Sequence, residues 1–179
     1  MSLAKAMADR RSVRSFASKP VAMEQVSQLC WAAQGITDQR SGKRTAPSAM
    51  AQYAVNLYVV NKEGCYEYLP GPHALRSMSG PEAMGQLRGA CWQPSVGSAP
   101  LCLIITIDVE RMKPRCGKMS EQYSLLEAGH VAQNVLLQAT ALELASVPVG
   151  GFDANAVAKA MKIPAPQRVV YLLPIGYKK

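Results

Sequence analysis

Two histidines, two tryptophans and two phenylalanines are all that this chain of 179 residues holds of those types, and aromatics together make up 6% of it. A nucleic-acid reader is expected to interleave basic residues with exposed aromatics or to show a recognisable module, and neither is found. The chain also lacks G-x-S-x-G, H-E-x-x-H and a P-loop. Its histidines, His73 in a polar loop and His130 on an apolar helix, read as structural. Acid–base chemistry by side chains is thinly supplied, which shifts weight toward a cofactor that brings its own reactivity. The five cysteines (Cys30, Cys65, Cys91, Cys102, Cys116) are odd in number and form no C-x-x-C pair, so neither a disulfide framework nor a zinc site is suggested. Apolar runs such as "APLCLIITI" are too short for a bilayer span. The start, "MSLAKAMADRR", lacks the apolar stretch of a secretory signal, and a cytoplasmic address is expected.

The chain does have a large apolar fraction, 49%, and a formal net charge of +8. Its length suits one domain with a real core, and no repeat or linker divides residues 1–179. The positive balance favours an anionic partner. Its basic residues fall in separate groups, Arg10 to Arg14, Arg40 to Arg44, Arg111 to Lys118 and Lys178 to Lys179, which fits local anion contacts better than one continuous stripe.

Val26, Leu29, Cys30 and Ala33 stand at helical spacing, and the helix they predict ends at Gly35. "QGITDQRSGKRTAPSAMA" then reads as a long loop and "YAVNLYVV" as a strand. A turn, a short Tyr-bearing strand and a polar loop follow at a sheet edge, then a short helix in "PEAMGQLRGACW" and a loop in "QPSVGSAP". "LCLIITI" is apolar throughout and predicts a strand covered on both faces. From Ser120 to Leu144, apolar residues repeat at i, i+3, i+4 almost all round, predicting a buried central helix. Along it Glu127, His130, Asn134 and Gln138 form a polar stripe that needs hydrogen-bond partners. A short strand "ASVPV", a Gly turn, a helix capped by Asp153 with Phe152 and Val157 as its staple, and a final strand "RVVYLLPIGY" complete the chain.

Arg10, Arg11 and Arg14 crowd around Ser12 in "DRRSVRSF". Such a cluster is either a solvated face or a seat for an anion, where guanidinium forks and a hydroxyl would meet phosphate oxygens. Gly150 and Gly151, following a short strand, are either a plain turn or a surface that a flat ligand can approach closely.

Five stretches, "RRSVRSF", "RTAPSAMAQYAVNLYVV", "GQLRGACWQPSVGSAP", "LEAGHVAQNVLLQATALELASVPVGGFD" and "YLLPIGYKK", together resemble the FMN-dependent nitroreductase superfamily in order and approximate spacing. Within it, the chain is similar to the shorter members of SagB-dehydrogenase type. The resemblance implies an α+β fold: a mixed, largely antiparallel sheet flanked by helices, in an intertwined homodimer with FMN at the subunit interface. It also implies electron transfer from NADH or NADPH through FMN to a small organic acceptor by a ping-pong mechanism, with no catalytic side chain and no metal. The implied cofactor contacts are Arg10, Arg11, Ser12 and Arg14 at the phosphate and the polar edge of the flavin. Pro47, Ser48 and Ala49 are implied to reach in from the other subunit, Gln93 to lie near the ring or ribityl chain, Gly150 and Gly151 to lie against the ring, and Lys178 or Lys179 to touch the phosphate. The chain departs from the family pattern at Met50, where relatives have glycine, and at Gly150, where many have glutamate. It also lacks the insertion that forms a lid in larger members. Alternatives are a non-catalytic flavin-binding protein of the same fold and a basic nucleic-acid-binding module.

Overall fold

The computed structural model describes residues 1–179. In chain order the elements are helices α1 (Leu3–Asp9) and α2 (Met23–Gln34), strands β1 (Ile36–Asp38), β2 (Lys43–Arg44), β3 (Val55–Asn61), β4 (Gly64–Leu69) and β5 (Ala74–Ser79), then helices α3 (Ala83–Ala90) and α4 (Pro94–Ser98). Strand β6 (Leu101–Ile107), helices α5 (Val109–Cys116) and α6 (Ser120–Ala141), strand β7 (Ala145–Ser146), helix α7 (Ala154–Ala160) and strand β8 (Arg168–Gly176) complete it. Six strands form one sheet in the order β5-β4-β3-β6-β8-β7, every pairing antiparallel.

All seven residues of β6 are buried at the centre of that sheet, as its unbroken apolar run requires. Val26, Leu29 and Ala33 of α2 and Val131, Val135 and Ala139 of α6 pack on one sheet face. Met84 and Leu87 of α3 and Val157 and Met161 at α7 pack on the other. Truncating a central residue such as Ile105 to Ala would cost about 2–5 kcal/mol, because its side chain is fully buried in the core beneath α2 and α6.

Four expectations change. The expected loop after Gly35 contains the two-stranded β1–β2 hairpin, pairing Ile36 with Arg44. The loop "QPSVGSAP" contains a short helix, which starts with Pro94 in the first turn, where a missing N–H costs nothing. The expected polar loop after the Tyr-bearing strand is itself an edge strand, β5. Helix α6 is buried on one side only: Leu125, Leu126 and His130 face outward. The capping of α7 is as expected, with Asp153 Oδ1 accepting from the N–H groups of Asn155 and Ala156 at 2.9 and 3.0 Å.

Candidate functional site

Helix α1 ends where Arg10 turns extended (φ −54°, ψ 124°). From there the arginine segment is stitched between the end of β7 and the chain's last residues. Ser12 bridges Ser146, and the Val13 N–H donates to the Ser146 carbonyl at 3.1 Å. Phe16 bridges Lys178, and the Ala17 N–H donates to the Tyr177 carbonyl at 2.9 Å. A recess of about 260 Å³ opens beside this seam, with Arg10, Arg11, Val13, Ser146 and Lys178 in its wall and Glu143 also lining it. Arg11 is partly committed, its Nη1 donating to the carbonyls of Ala8 and Arg10 at 2.7 and 2.8 Å and so capping α1. Neither Arg10 nor Lys178 forms an ion pair. Arg14 and Lys179 are exposed and line no part of the recess.

Beyond β7 the chain keeps its register against β8, with Val149 forming an isolated bridge to Leu172 just before Gly150 and Gly151. Both glycines are exposed and neither has a left-handed φ. A Cβ on Gly150 would meet only Tyr171 Cε1 at 3.8 Å, and one on Gly151 only Gln93 Nε2 at 3.6 Å, both ordinary contacts. Glycine is thus demanded here by neither backbone conformation nor internal packing, and what it leaves is bare backbone facing outward. Gln93 joins this turn, its Nε2 donating to the Gly151 carbonyl at 2.8 Å.

The Pro47–Ala49 loop belongs to another network. Ser48 Oγ donates to Glu127 Oε2 at 2.6 Å and accepts from the Tyr53 N–H at 2.8 Å. Glu127, only 2% exposed, also accepts from the N–H groups of Ala54 and Val55 at 3.3 and 3.1 Å. Arg44 stacks 4.4 Å over the Tyr53 ring and donates to Gln34 Oε1 at 2.8 Å. Burial lowers its pKa, while the Glu127 carboxylate acts in the opposite direction. Met50, Ala51 and Tyr53 all have φ near +50° (52°, 52° and 51°). Glycine would be unstrained at position 50, and here the Glu127 hub holds a methionine there.

Ser48 meets α6 at Glu127, whereas the arginine recess meets it at Leu136 and Thr140. At about 1.5 Å of rise per residue these points are ~14–20 Å apart along the helix. One chain therefore gathers Arg10, Arg11, Ser12 and Lys178, and separately Gln93 with Gly150 and Gly151, while Pro47, Ser48 and Ala49 stand apart from the arginine recess along α6. The largest concavity, about 740 Å³ between Val21, the Asn61–Glu63 turn and Arg88, holds none of these residues.

Sequence reasoning missed Glu127 as a hub and Arg44 as its charged neighbour. The signal was a carboxylate inside an apolar helix, which demands donors wherever it is buried. Asn134 of the same stripe donates to the Thr45 carbonyl at 3.3 Å. His130 is exposed. His73 is satisfied on both ring nitrogens, by Ser27 Oγ and the Tyr68 hydroxyl at 2.8 Å each.

Residues 7–177 match the Nitroreductase family. A Methanocaldococcus jannaschii protein, provisionally named a nitroreductase, is 38% identical over 176 residues, covering 94% of this chain and 87% of its own length. The crystal structure of a Ralstonia eutropha JMP134 protein, also provisionally named a nitroreductase, superposes with a TM-score of 0.89 at 28% identity, over 100% of this chain and 84% of that one. A chain of the E. coli microcin synthetase McbBCD complex, solved with truncated pro-MccB17 bound, shares the fold with a TM-score of 0.80 at 19% identity, over 97% of this chain and 73% of that one. With the family matched over almost its whole length, and with the sheet and helices of the solved relatives, the chain belongs to the nitroreductase family of oxidoreductases.

Proposed function

We propose that the chain is a short, SagB-dehydrogenase-like flavoenzyme, carrying two electrons from NADH or NADPH through bound FMN to a small organic acceptor in ping-pong fashion. The observation that carries this reading is the continuity of the recess and the turn. Arg10, Arg11 and Lys178 gather at Ser146, the last residue of β7, and four residues further along the chain the bare backbone of Gly150 and Gly151 begins. Four extended residues span at most about 14 Å. An anionic seat and a flat, side-chain-free surface at that separation suit a ligand whose phosphate and ring are joined by a ribityl chain.

FMN supplies the redox chemistry when bound, taking up hydride and releasing two electrons. The chain's part is binding and electrostatics. Arg10 and Lys178, unpaired, hold the phosphate with Arg11, and the Ser12 hydroxyl adds a donor. Of the two terminal lysines, Lys178 in the recess wall, rather than Lys179 outside it, is the phosphate contact. Arg14, free of the recess, serves the polar edge of the ring, where its charge favours an anionic reduced form. The Gly151 N–H lies toward the ring, and Gln93 fixes the turn that presents it.

Pro47, Ser48 and Ala49 serve the site of a second subunit, since the α6 spacing keeps them from their own. Met50, Leu125 and Leu126 are exposed apolar side chains around that same stretch of α6 and its loop, as a homodimer contact requires. Five free cysteines suit a reducing compartment, and a cytoplasmic address is part of the reading. No helix is long and apolar enough to cross a membrane.

Purification tests the whole. A yellow protein whose bound FMN is bleached by NADH or NADPH supports it. A yellow protein that neither nucleotide bleaches supports a flavin-binding protein without turnover. A colourless one that takes up no FMN but binds nucleic acid overturns it.

A further inference from the structure

Lys178 stands beyond the end of β8 at Gly176, so the ladder of the main sheet does not fix it. The residue before it is anchored instead. Tyr177 packs against the core cluster of α2 and α6, Lys19 Nζ sits 4.1 Å over its ring, and its hydroxyl donates to Gln25 Oε1 at 2.9 Å. Gln25, in the first turn of α2, has both ends of its amide engaged. Its Oε1 also accepts from the Ala22 N–H at 3.1 Å, and its Nε2 donates to the Leu142 carbonyl at 3.4 Å. An N–H can only donate and a carbonyl can only accept, so these two partners fix which way the amide faces and oblige the Tyr177 hydroxyl to be the donor. The bonds to Tyr177 and Leu142 lead to two parts of the recess wall. Tyr177 precedes Lys178, and Leu142 precedes Glu143 and Leu144, which line the recess with Arg10 and Arg11. Glu143 has a left-handed φ of 60°, which a non-glycine residue keeps only where its surroundings hold it. Gln25 itself lines no part of the recess.

We infer that Gln25 is a positioning residue for the flavin phosphate, holding Lys178 from behind the recess and setting its distance from the end of α6; this rests on the flavin reading above. Gln25 touches no ligand. Its effect passes through Lys178: with Tyr177 released, the ammonium samples positions outside the recess, and the phosphate loses a charge-assisted partner for part of the time. The ring lies at the Gly150–Gly151 turn and does not register the change.

The test compares dissociation constants for FMN and riboflavin, because only the phosphate distinguishes the two. Gln25→Ala removes the brace, and Tyr177→Phe removes one hydroxyl while keeping the ring in place. Each is expected to lower the preference for FMN about fivefold and to leave riboflavin affinity within about twofold of wild type. Both remove the same bond, so the double variant should fall below either single one by no more than about twofold. In a Lys178→Ala background neither substitution should move the preference by more than about twofold, a result that a merely structural role would not produce. A preference for FMN that is unmoved in both single variants, with the two flavins weakened in parallel or not at all, overturns this inference alone. A preference that falls as far without Lys178 as with it does the same. A wild type that takes up no FMN overturns it together with the flavin reading.

Discussion

Ser48 Oγ lies 2.6 Å from Glu127 Oε2 and donates to it, tying the proline loop to a carboxylate that is almost wholly buried. That bond and the two backbone N–H groups on Glu127 secure a run in which Met50, Ala51 and Tyr53 all take left-handed φ. Glu127→Ala leaves those donors unpaired and removes the countercharge of half-buried Arg44. It is expected to cost about 3–5 kcal/mol in urea unfolding. Glu127→Gln keeps one acceptor oxygen and should cost about 1–3 kcal/mol. A cost below about 1 kcal/mol for the alanine variant would mean that the hub does not hold the loop.

Gly151→Ala separates a glycine kept for a ligand from one kept for the fold. The added Cβ meets nothing closer than 3.6 Å, so stability should stay within about 1 kcal/mol of wild type, or rise slightly. FMN affinity should fall at least tenfold. Gly176→Ala is the opposite case, because its Cβ would lie 2.7 Å from Pro100 Cδ, and it should lose about 1–3 kcal/mol of stability. Titration with FMN beside thermal melting reads both.

Leu126 is exposed, so Leu126→Asp should hardly change the stability of the isolated subunit. If the outward face of α6 meets a second subunit, the charge is buried there. Sedimentation should then show monomers where wild type gives dimers, with FMN lost in parallel. A variant that remains dimeric places the contact elsewhere.

Burial pushes the Cys30 thiol up to about 12 and the Cys65 thiol up to about 11, from an ordinary 9.0, and raises Cys102 as well. A thiol whose folded pKa exceeds its unfolded value favours the fold fully below the unfolded pKa, and that contribution is lost as pH rises toward the folded one. Stability should therefore decline from about pH 9 upward, through the window that ends near the raised values. At pH 8, Ellman's reagent should label the half-exposed Cys116 in the native protein and all five cysteines after unfolding. Rapid labelling of more than one native thiol would contradict the buried assignments.

Much of this architecture was legible in residue patterns. The apolar β6, the spacing in α2 and the Asp153 cap each have a local cause, and each element is found where that cause put it. The hairpin after Gly35 was not legible, because its strands are two and three residues long and carry Asp, Lys and Arg, which have no strand signature. The outward face of α6 was misread as buried, since Leu125 and Leu126 look the same in sequence whether a core or another subunit covers them. At the site, the arginine run and the glycine pair were visible as composition. That Arg10 and Lys178 share one recess was not, because contacts across 168 positions depend on how β7 and β8 pair. Glu127 was seen as a polar group needing partners, but which partners is a matter of tertiary packing.

The claim at the centre of this account is that the recess formed by Arg10, Arg11 and Lys178 holds a phosphate attached to a flavin. The direct measurement is the ratio of the dissociation constants for riboflavin and FMN, in wild type and in the Arg10→Ala/Lys178→Ala double variant. Each charge-assisted contact contributes about 1.5–3 kcal/mol. Wild type should accordingly prefer FMN by at least about a hundredfold, and the double variant should fall to within about tenfold of no preference. An equal preference for FMN in both proteins would contradict the account and put the phosphate elsewhere.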